Sequence, residues 1–516
     1  VFDRASRADW FVTDGDTITS LSNVPGLKFL GTRYGGGSRW EIHRSHLPLL
    51  DDPQARAALA LGPTDWVARD RATHDRGFQL RNVQHAAVDF ITRRRGTLLG
   101  DEQRVGKTLS TIMSHDPSTG PFVVICPAMV RPVWIGWLRK VFPGEEIGVL
   151  STHTFDAKVI QKKLVVGHYD ILPWWQSARP IGTLVFDEAH LLTNQHARRS
   201  KAAVFLASRA QRVICATGTP IWNMPTNLWN VLGLVAPAAF GGYHEFAQRY
   251  GAPIPSAYGT KYTGISNEEE LRERLSEVMI RRRWVDVVDD LPAISRNVAL
   301  VDLDDATQRK LDLMAAEILS DKSKATTIGL LASYREKLSH VKGPIAIEQT
   351  TAMLDRGEPV VVWTWHVDLA TEIAHALGNR AFLVTGDVLG DKRDAAIAAW
   401  NAHPAGALVC TMAVAQVGLD FSHAHLAIFV EIDYTPAILA QAEMRTYAPT
   451  RPMNITYVVA NHMIEHRIVM ALTKKLSAAD PLGVGAAGET IAALDVALNG
   501  PVEEPDMDRL LADILG

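Results

Sequence analysis

The stretch Gly100-Asp101-Glu102-Gln103-Arg104-Val105-Gly106-Lys107-Thr108 constrains the fold of this chain more than any other. It follows the apolar run Gly96-Thr97-Leu98-Leu99 and opens the helix-like Leu109-Ser110-Thr111-Ile112-Met113. Strand, turn and helix in that order are the context of a phosphate-binding loop. A polyphosphate is held there by backbone N–H groups, a lysine acting as a point charge and a hydroxyl on a magnesium ion. Lys107 and Thr108 are those two side chains, and Gly106 is the glycine before them. The first glycine of the plain GxxxxGK[ST] pattern is Asp101 here. An ordinary turn between strand and helix is therefore the alternative reading of this stretch alone.

A second element decides between them. Gly182-Thr183-Leu184-Val185-Phe186 reads as a short buried strand ending in Asp187-Glu188-Ala189-His190. Acidic residues at the C-terminal end of a strand stand where open parallel sheets bind their ligands. Asp187 can hold magnesium, and Glu188 can orient and deprotonate an attacking water. The two motifs in this order point to binding and hydrolysis of a nucleoside triphosphate with Mg2+.

Composition bounds the rest. With 47% hydrophobic and 21% charged residues the chain is an ordinary globular protein, and 516 residues suffice for about three domains. No apolar run reaches the roughly 18 residues of a membrane span, and no signal-peptide pattern opens the chain. A cytoplasmic protein of a bacterial or phage-infected cell is expected, although the start at Val1 leaves a leader open. Cys126, Cys215 and Cys410 lie in separate apolar runs and read as buried strand residues. A net charge of -4 carries no global nucleic-acid signature, so any DNA contact must be local.

The expected architecture is α/β, with two RecA-like parallel-sheet lobes, helical insertions and a small β-rich module. Residues 1–72 form that module. Trp10-Phe11-Val12-Thr13 and Thr17 to Leu21 flank Asp14-Gly15-Asp16, and Leu27 to Leu30 and Arg39 to His43 flank a glycine-rich turn. The second hairpin interleaves Lys28, Arg33, Arg39, His43 and Arg44 with Tyr34 and Trp40. Two readings stay open: a surface that contacts phosphates and stacks on bases, or a charged sheet edge that resists self-association. Residues 73–234 alternate strands and helices as the first lobe, with strands at 122–126, 183–186 and 212–216. Residues 235–350 read mostly helical, including Glu268 to Ile280 and Ala306 to Ile318. Residues 351–483 resume the alternation as a second lobe, and 484–516 form an acidic tail that is either solvated or a site for a protein partner.

Further motifs give the chain a resemblance. Leu80-Arg81-Asn82-Val83-Gln84 resembles the LRxYQ segment of SNF2-type superfamily 2 ATPases, and Asp101 to Thr108 resembles their DExGxGKT. Asp187 to His190 matches DEAH with Asn194 following, and Thr217-Gly218-Thr219-Pro220-Ile221-Trp222-Asn223 resembles TGTPIQN. Arg281-Arg282-Arg283 with Asp290-Leu291-Pro292 resembles the bridge between their lobes. Gly418-Leu419-Asp420-Phe421 stands at motif V, and Gln441-Ala442-Glu443-Met444-Arg445 runs into motif VI. The resemblance covers about residues 77 to 475 and is greatest to the annealing-helicase (HARP) branch.

It implies a DNA-dependent ATPase that translocates on duplex or forked DNA without reading sequence and without a membrane. By this resemblance Gln84 reads the adenine, Asp101, Gly106, Lys107, Thr108, Gly418 and Asp420 line the nucleotide, and Thr108 and Asp187 hold the metal. Thr217, Thr219 and Thr411, with Met129 and Val130, fall at DNA-contact positions, and Arg39 and Trp40 of the N-terminal hairpin join them. Two departures stand out. Arg104 replaces a small residue of the phosphate loop, and Ala448 replaces the second arginine of motif VI. Either Arg451 substitutes for that arginine, or Arg445 serves alone and turnover is slow. A nucleotide-gated DNA clamp and a motor subunit of a larger DNA-processing complex are the competing functions. Trp363, Trp365, Trp134 and Trp137 are expected in the core at strand and helix spacing.

Overall fold

The computed structural model describes residues 2–4, 10–14, 28–32, 38–43, 47, 80–151, 156–175, 179–220, 225–256, 259–283, 293–320, 324–388, 391–416, 419–433, 435–447, 451–462, 465–466 and 469. The chain divides into two compact units, Val1–Asp289 with Pro481–Val484, and Asp290–Asp480 with Gly485–Gly516.

In the first unit, β1 (Phe2–Arg4), β2 (Trp10–Asp14), β3 (Lys28–Thr32) and β4 (Ser38–His43) form an antiparallel sheet in the order β1-β2-β4-β3. β3 and β4 are the second hairpin expected from the sequence, with Phe29 opposite Trp40. The partner strand expected at Thr17 to Leu21 lies outside the described residues.

The larger sheet of this unit holds the site. β5 (Gly96–Leu99), β6 (Phe122–Cys126), β7 (Ile147–Val149), β8 (Leu164–His168), β9 (Ile181–Asp187) and β10 (Ala210–Ala216) are all parallel. Strands covered by helices on both faces need apolar side chains in both directions, which is why β6 and β8 are buried along their whole length. Truncating one such side chain to alanine costs about 2–5 kcal/mol.

The stretch read as helical is more mixed. It holds a hairpin of β11 (Pro253–Ser256) and β12 (Gly259–Tyr262). The helix expected over Glu268 to Ile280 ends at Ser276, and Met279–Ile280 form β13, which pairs in parallel with Leu98 and Leu99 of β5. Two residues are too few to show any period. The sheet order is therefore β13-β5-β10-β9-β6-β8-β7.

The second unit opens with β14 (Ile294–Val301), also inside the stretch read as helical. Ser295, Arg296 and Asn297 interrupt its apolar pattern because it is an edge strand with one wet face. Helices Asp305–Ser320 and Lys324–Asp355 follow. Then come β15 (Val360–Thr364), β16 (Ala381–Val384), β17 (Ala407–Thr411), β18 (Leu426–Phe429) and β19 (Met453–Ala460), in the parallel order β14-β19-β18-β15-β17-β16.

The three cysteines are free and buried, as expected. Trp134 and Trp363 are in the core, but Trp365 is 42% exposed, with the Arg335 guanidinium 4.9 Å from its ring. β15 ends at Thr364, so strand alternation no longer applies at Trp365. Among the described residues no helix is long and apolar enough to cross a membrane.

Candidate nucleotide-binding site

The loop after β5 turns into helix Lys107–Met113 through Gly106, whose φ of 112° lies in the left-handed region. Conformation requires glycine there, and a Cβ, 2.4 Å from Gln84 Nε2, would also displace that carboxamide. Lys107 Nζ donates to the carbonyls of Asp101 (2.8 Å) and Glu102 (3.0 Å), which curls the loop around its own lysine. Arg104 has φ 66°, unusual for a residue with a Cβ, and Arg81 Nη2 donates to its carbonyl at 3.3 Å.

Gln84 stands on helix Asn82–Thr92 beside this loop. Its Oε1 accepts the Arg81 N–H (3.0 Å), and Nε2 reaches Gly106 O at 3.5 Å. The carboxamide that the resemblance assigns to adenine is thus buried and engaged with the protein in this structure. Asp101 is fully buried and faces Arg282 with both oxygens, Nε to Oδ1 at 3.0 Å and Nη2 to Oδ2. Its side chain is thus engaged with Arg282 in this structure.

The acidic pair ends β9, two strands from β5 across β10. Asp187 Oδ2 accepts the Trp134 indole N–H at 2.7 Å, and its main-chain oxygen accepts the Tyr169 hydroxyl at 2.6 Å. Burial, then the neighbouring Glu188 charge, pushes the Asp187 carboxyl up to about 6, against the Trp134 hydrogen bond and the Lys107 charge. Glu188 has φ 53°, a second strained non-glycine residue in the same site. Its Oε2 is 3.4 Å from His190 Nδ1, but burial and the Arg199 charge lower His190 to about 3. The imidazole is therefore neutral near pH 7, and this contact is no ion pair.

His190 Nδ1 also meets Thr217 Oγ1 at 3.1 Å, and that hydroxyl accepts the Thr219 N–H at 3.2 Å. The loop after β10 is thereby tied to the acidic pair. It also approaches the lysine, since a Cβ on Gly218 would stand 3.6 Å from Lys107 Nζ. Arg281 Nη1 donates to Gly100 O (2.8 Å) and Gly218 O (3.4 Å), joining both loops.

The first unit therefore brings Lys107 and Gly106 after β5, and Asp187 and Glu188 at the end of β9, to either side of β10, with Thr108 half-buried at the helix start. The threonines expected to touch DNA have buried side chains: Thr217 and Thr219 as above, and Thr411 accepting the Gly386 N–H at 3.2 Å. Trp40 is half-buried, while the Arg39 side chain, Gly418 and Ala448 lie outside the described residues.

In the second unit Asp420 is exposed and its Oδ1 caps Ser422 N at 2.9 Å. Arg445 is buried near the end of helix Pro436–Thr446. Glu443 of that helix pairs with Arg296 of β14 at 2.9 Å and accepts the Tyr457 hydroxyl. Arg451 Nη2 donates to Ser422 O (2.5 Å) and to His423 O.

The SNF2-related domain model matches residues 26–341, and the helicase conserved C-terminal domain model matches 345–448. The chain belongs to the SNF2-related family. It is an enzyme of the SNF2 ATPase class. A Xenopus tropicalis SWI/SNF-related matrix-associated actin-dependent regulator of chromatin subfamily A-like protein 1 is 27% identical over 84% of this chain and 48% of its own length. The bovine DNA annealing helicase and endonuclease ZRANB3 is 25% identical over 77% of this chain and 40% of its own length. The chain thus spans about half the length, or less, of these relatives. The Sulfolobus solfataricus SWI2/SNF2 ATPase core in complex with dsDNA covers 84% of this chain and 97% of its own, at 21% identity and a TM-score of 0.40.

Three SNF2-lobe residues in contact with the site were not singled out for it from the sequence: Trp134, Tyr169 and Arg282. Each acts on a residue far away in the chain, Asp187 at separations of 53 and 18 and Asp101 at 181. The run of three arginines after an apolar pair was the available signal for Arg282.

Proposed function

We propose that this SNF2-family ATPase is a DNA translocase that hydrolyses ATP to move on duplex or forked DNA, remodelling or annealing strands without reading their sequence. The observation that carries the reading is the convergence of Lys107, Gly218 and the Asp187–Glu188 pair on the ends of β5, β10 and β9, three neighbouring strands. Two adjacent carboxylates in a buried site, one pushed up to about 6, favour a cation beside them. The donors fit magnesium: Asp187 and Thr108 are hard oxygen ligands, and Mg2+ takes few protein ligands besides phosphate oxygens. Thr108 and Asp187 would hold the ion, which neutralises phosphate charge. Lys107 then leaves its loop carbonyls for the phosphates, and Glu188 orients and deprotonates the attacking water. The DNA part of the reading is supported by the annealing-helicase relatives and implies contacts to the phosphate backbone, with salt-sensitive binding.

A second reading, a nucleotide-gated DNA clamp with weak turnover, is favoured by one observation. Arg451, the candidate replacement for the arginine absent at Ala448, is engaged with the Ser422 and His423 carbonyls. Steady-state ATP hydrolysis without nucleic acid and with single-stranded, duplex and forked DNA, with Lys107→Ala as the blank, separates the two. Stimulation by duplex or fork well above the blank supports the translocase. Blank-level hydrolysis with ATP-dependent DNA binding intact supports the clamp.

A further inference from the structure

Helix Arg131–Val141 carries Pro132 in its first turn, where the fixed φ and missing N–H are tolerated, and buries Trp134, Leu138 and Val141. Trp134 is 1% exposed. Its ring lies 6.3 Å from that of Phe122 on β6, and its N–H donates to Asp187 Oδ2 at 2.7 Å. A buried indole N–H needs an acceptor, and an ionised carboxylate is the strongest one available in a protein.

The other atoms of Asp187 are fixed as well. Oδ1 accepts the Glu188 N–H at 3.2 Å, and the main-chain oxygen accepts the Tyr169 hydroxyl at 2.6 Å. The carboxylate plane is set by two N–H donors, one on each oxygen, and each oxygen keeps a second lone pair. The Glu188 N–H is part of the backbone and only proline would remove it, which the φ of 53° at that position excludes. Trp134 is the side chain that sets the direction of Oδ2. Phenylalanine would keep an aromatic ring there but lacks that donor and part of the indole volume.

We infer that Trp134 is a positioning residue that aims the Asp187 carboxylate at the divalent cation accompanying the nucleotide. This rests on the proposed ATP site, and it assigns to Trp134 the role that outer hydrogen-bond partners play for metal-ligating side chains in general. Loss of such a partner typically lowers metal affinity 10–100-fold.

The test uses the full chain and a fluorescent ADP analogue, titrated first in EDTA and then with Mg2+ or Mn2+. Trp134→Phe should bind the analogue in EDTA within about twofold of the unsubstituted chain, yet need about tenfold more Mg2+ or Mn2+ for the metal-dependent gain. Trp134→His, which keeps a ring N–H donor while also losing indole volume, should recover part of that shift. In an Asp187→Asn background Trp134→Phe should have no further effect on the metal dependence. Unchanged metal dependence in Trp134→Phe overturns the inference. So does an equal shift in Phe and His variants with lowered EDTA affinity, which marks packing alone. If Trp134→Phe fails to fold, the His variant and its Asp187→Asn double decide by the same two readouts. An unsubstituted chain with no metal-dependent nucleotide binding overturns the proposed site itself, and the inference with it.

Discussion

Arg282 grips Asp101 with both arms of its guanidinium, across 181 residues of sequence, and a third contact from Nη1 reaches Val83 O. The position where other phosphate loops start with glycine therefore carries a fully buried charge held by a specific partner. Removing one member of a buried pair is far costlier than removing both, because it leaves a charge in a poorly solvated site. Arg282→Gln should destabilise the first unit by about 3–5 kcal/mol. The double variant Asp101→Asn/Arg282→Gln should recover more than half of that loss. Urea unfolding followed by tryptophan fluorescence checks both.

Gly106→Ala should weaken nucleotide binding. The left-handed backbone would cost a residue with a Cβ about 1–2 kcal/mol, and the methyl would push the Gln84 carboxamide out of the loop. A loss of about tenfold or more in affinity for a fluorescent ATP analogue is expected, together with a lower melting temperature.

His190 makes stability depend on pH. Its folded value of about 3 lies below the ordinary 6.5, so the folded chain binds fewer protons than the unfolded chain between those limits. The stability it contributes is present above 6.5 and is lost as pH falls through that window. From pH 7.5 to 5.5 the unsubstituted chain should lose about 1.4 kcal/mol more than His190→Asn, measured by chemical denaturation at both values.

The two arginines of the second unit should behave differently. Arg451 secures the loop at Ser422 and His423, so Arg451→Ala should lower the melting temperature and cost turnover less than about tenfold. Arg445→Ala should reduce turnover by about a thousandfold with little change in folding, if the family's motif VI role resides there. Full turnover in Arg445→Ala together with a large loss in Arg451→Ala would reverse the assignment.

Much of this was legible in the sequence because the information is local. β6, β9 and β10 are apolar runs because parallel strands are covered on both faces, and Lys107, Asp187 and Glu188 sit in motifs a few residues long. β13 was not legible, since two residues have no period and acquire strand geometry by pairing with β5. Trp365 was misplaced by extending strand alternation one residue past the end of β15. Trp134 read as core, correctly, but spacing does not reveal that a buried indole has a carboxylate for an acceptor. Gln84 was placed near the loop, while its engagement with Arg81 N and Gly106 O depends on packing that no motif encodes.

The parallel seam between β5 and β13 has a consequence for synthesis on the ribosome. Gly100 N–H bonds to Ile280 O at 2.8 Å and Glu102 N–H to Arg282 O at 2.9 Å. The phosphate loop thus emerges long before the segment that closes its flank. At 5–20 residues per second, the interval is about 10–40 s, during which β5 is an open edge and Asp101 lacks its arginine. A nascent chain halted after Val235 should be a better chaperone client and protease substrate than one halted after Arg283. Any attempt to express the first lobe alone should extend through Arg283.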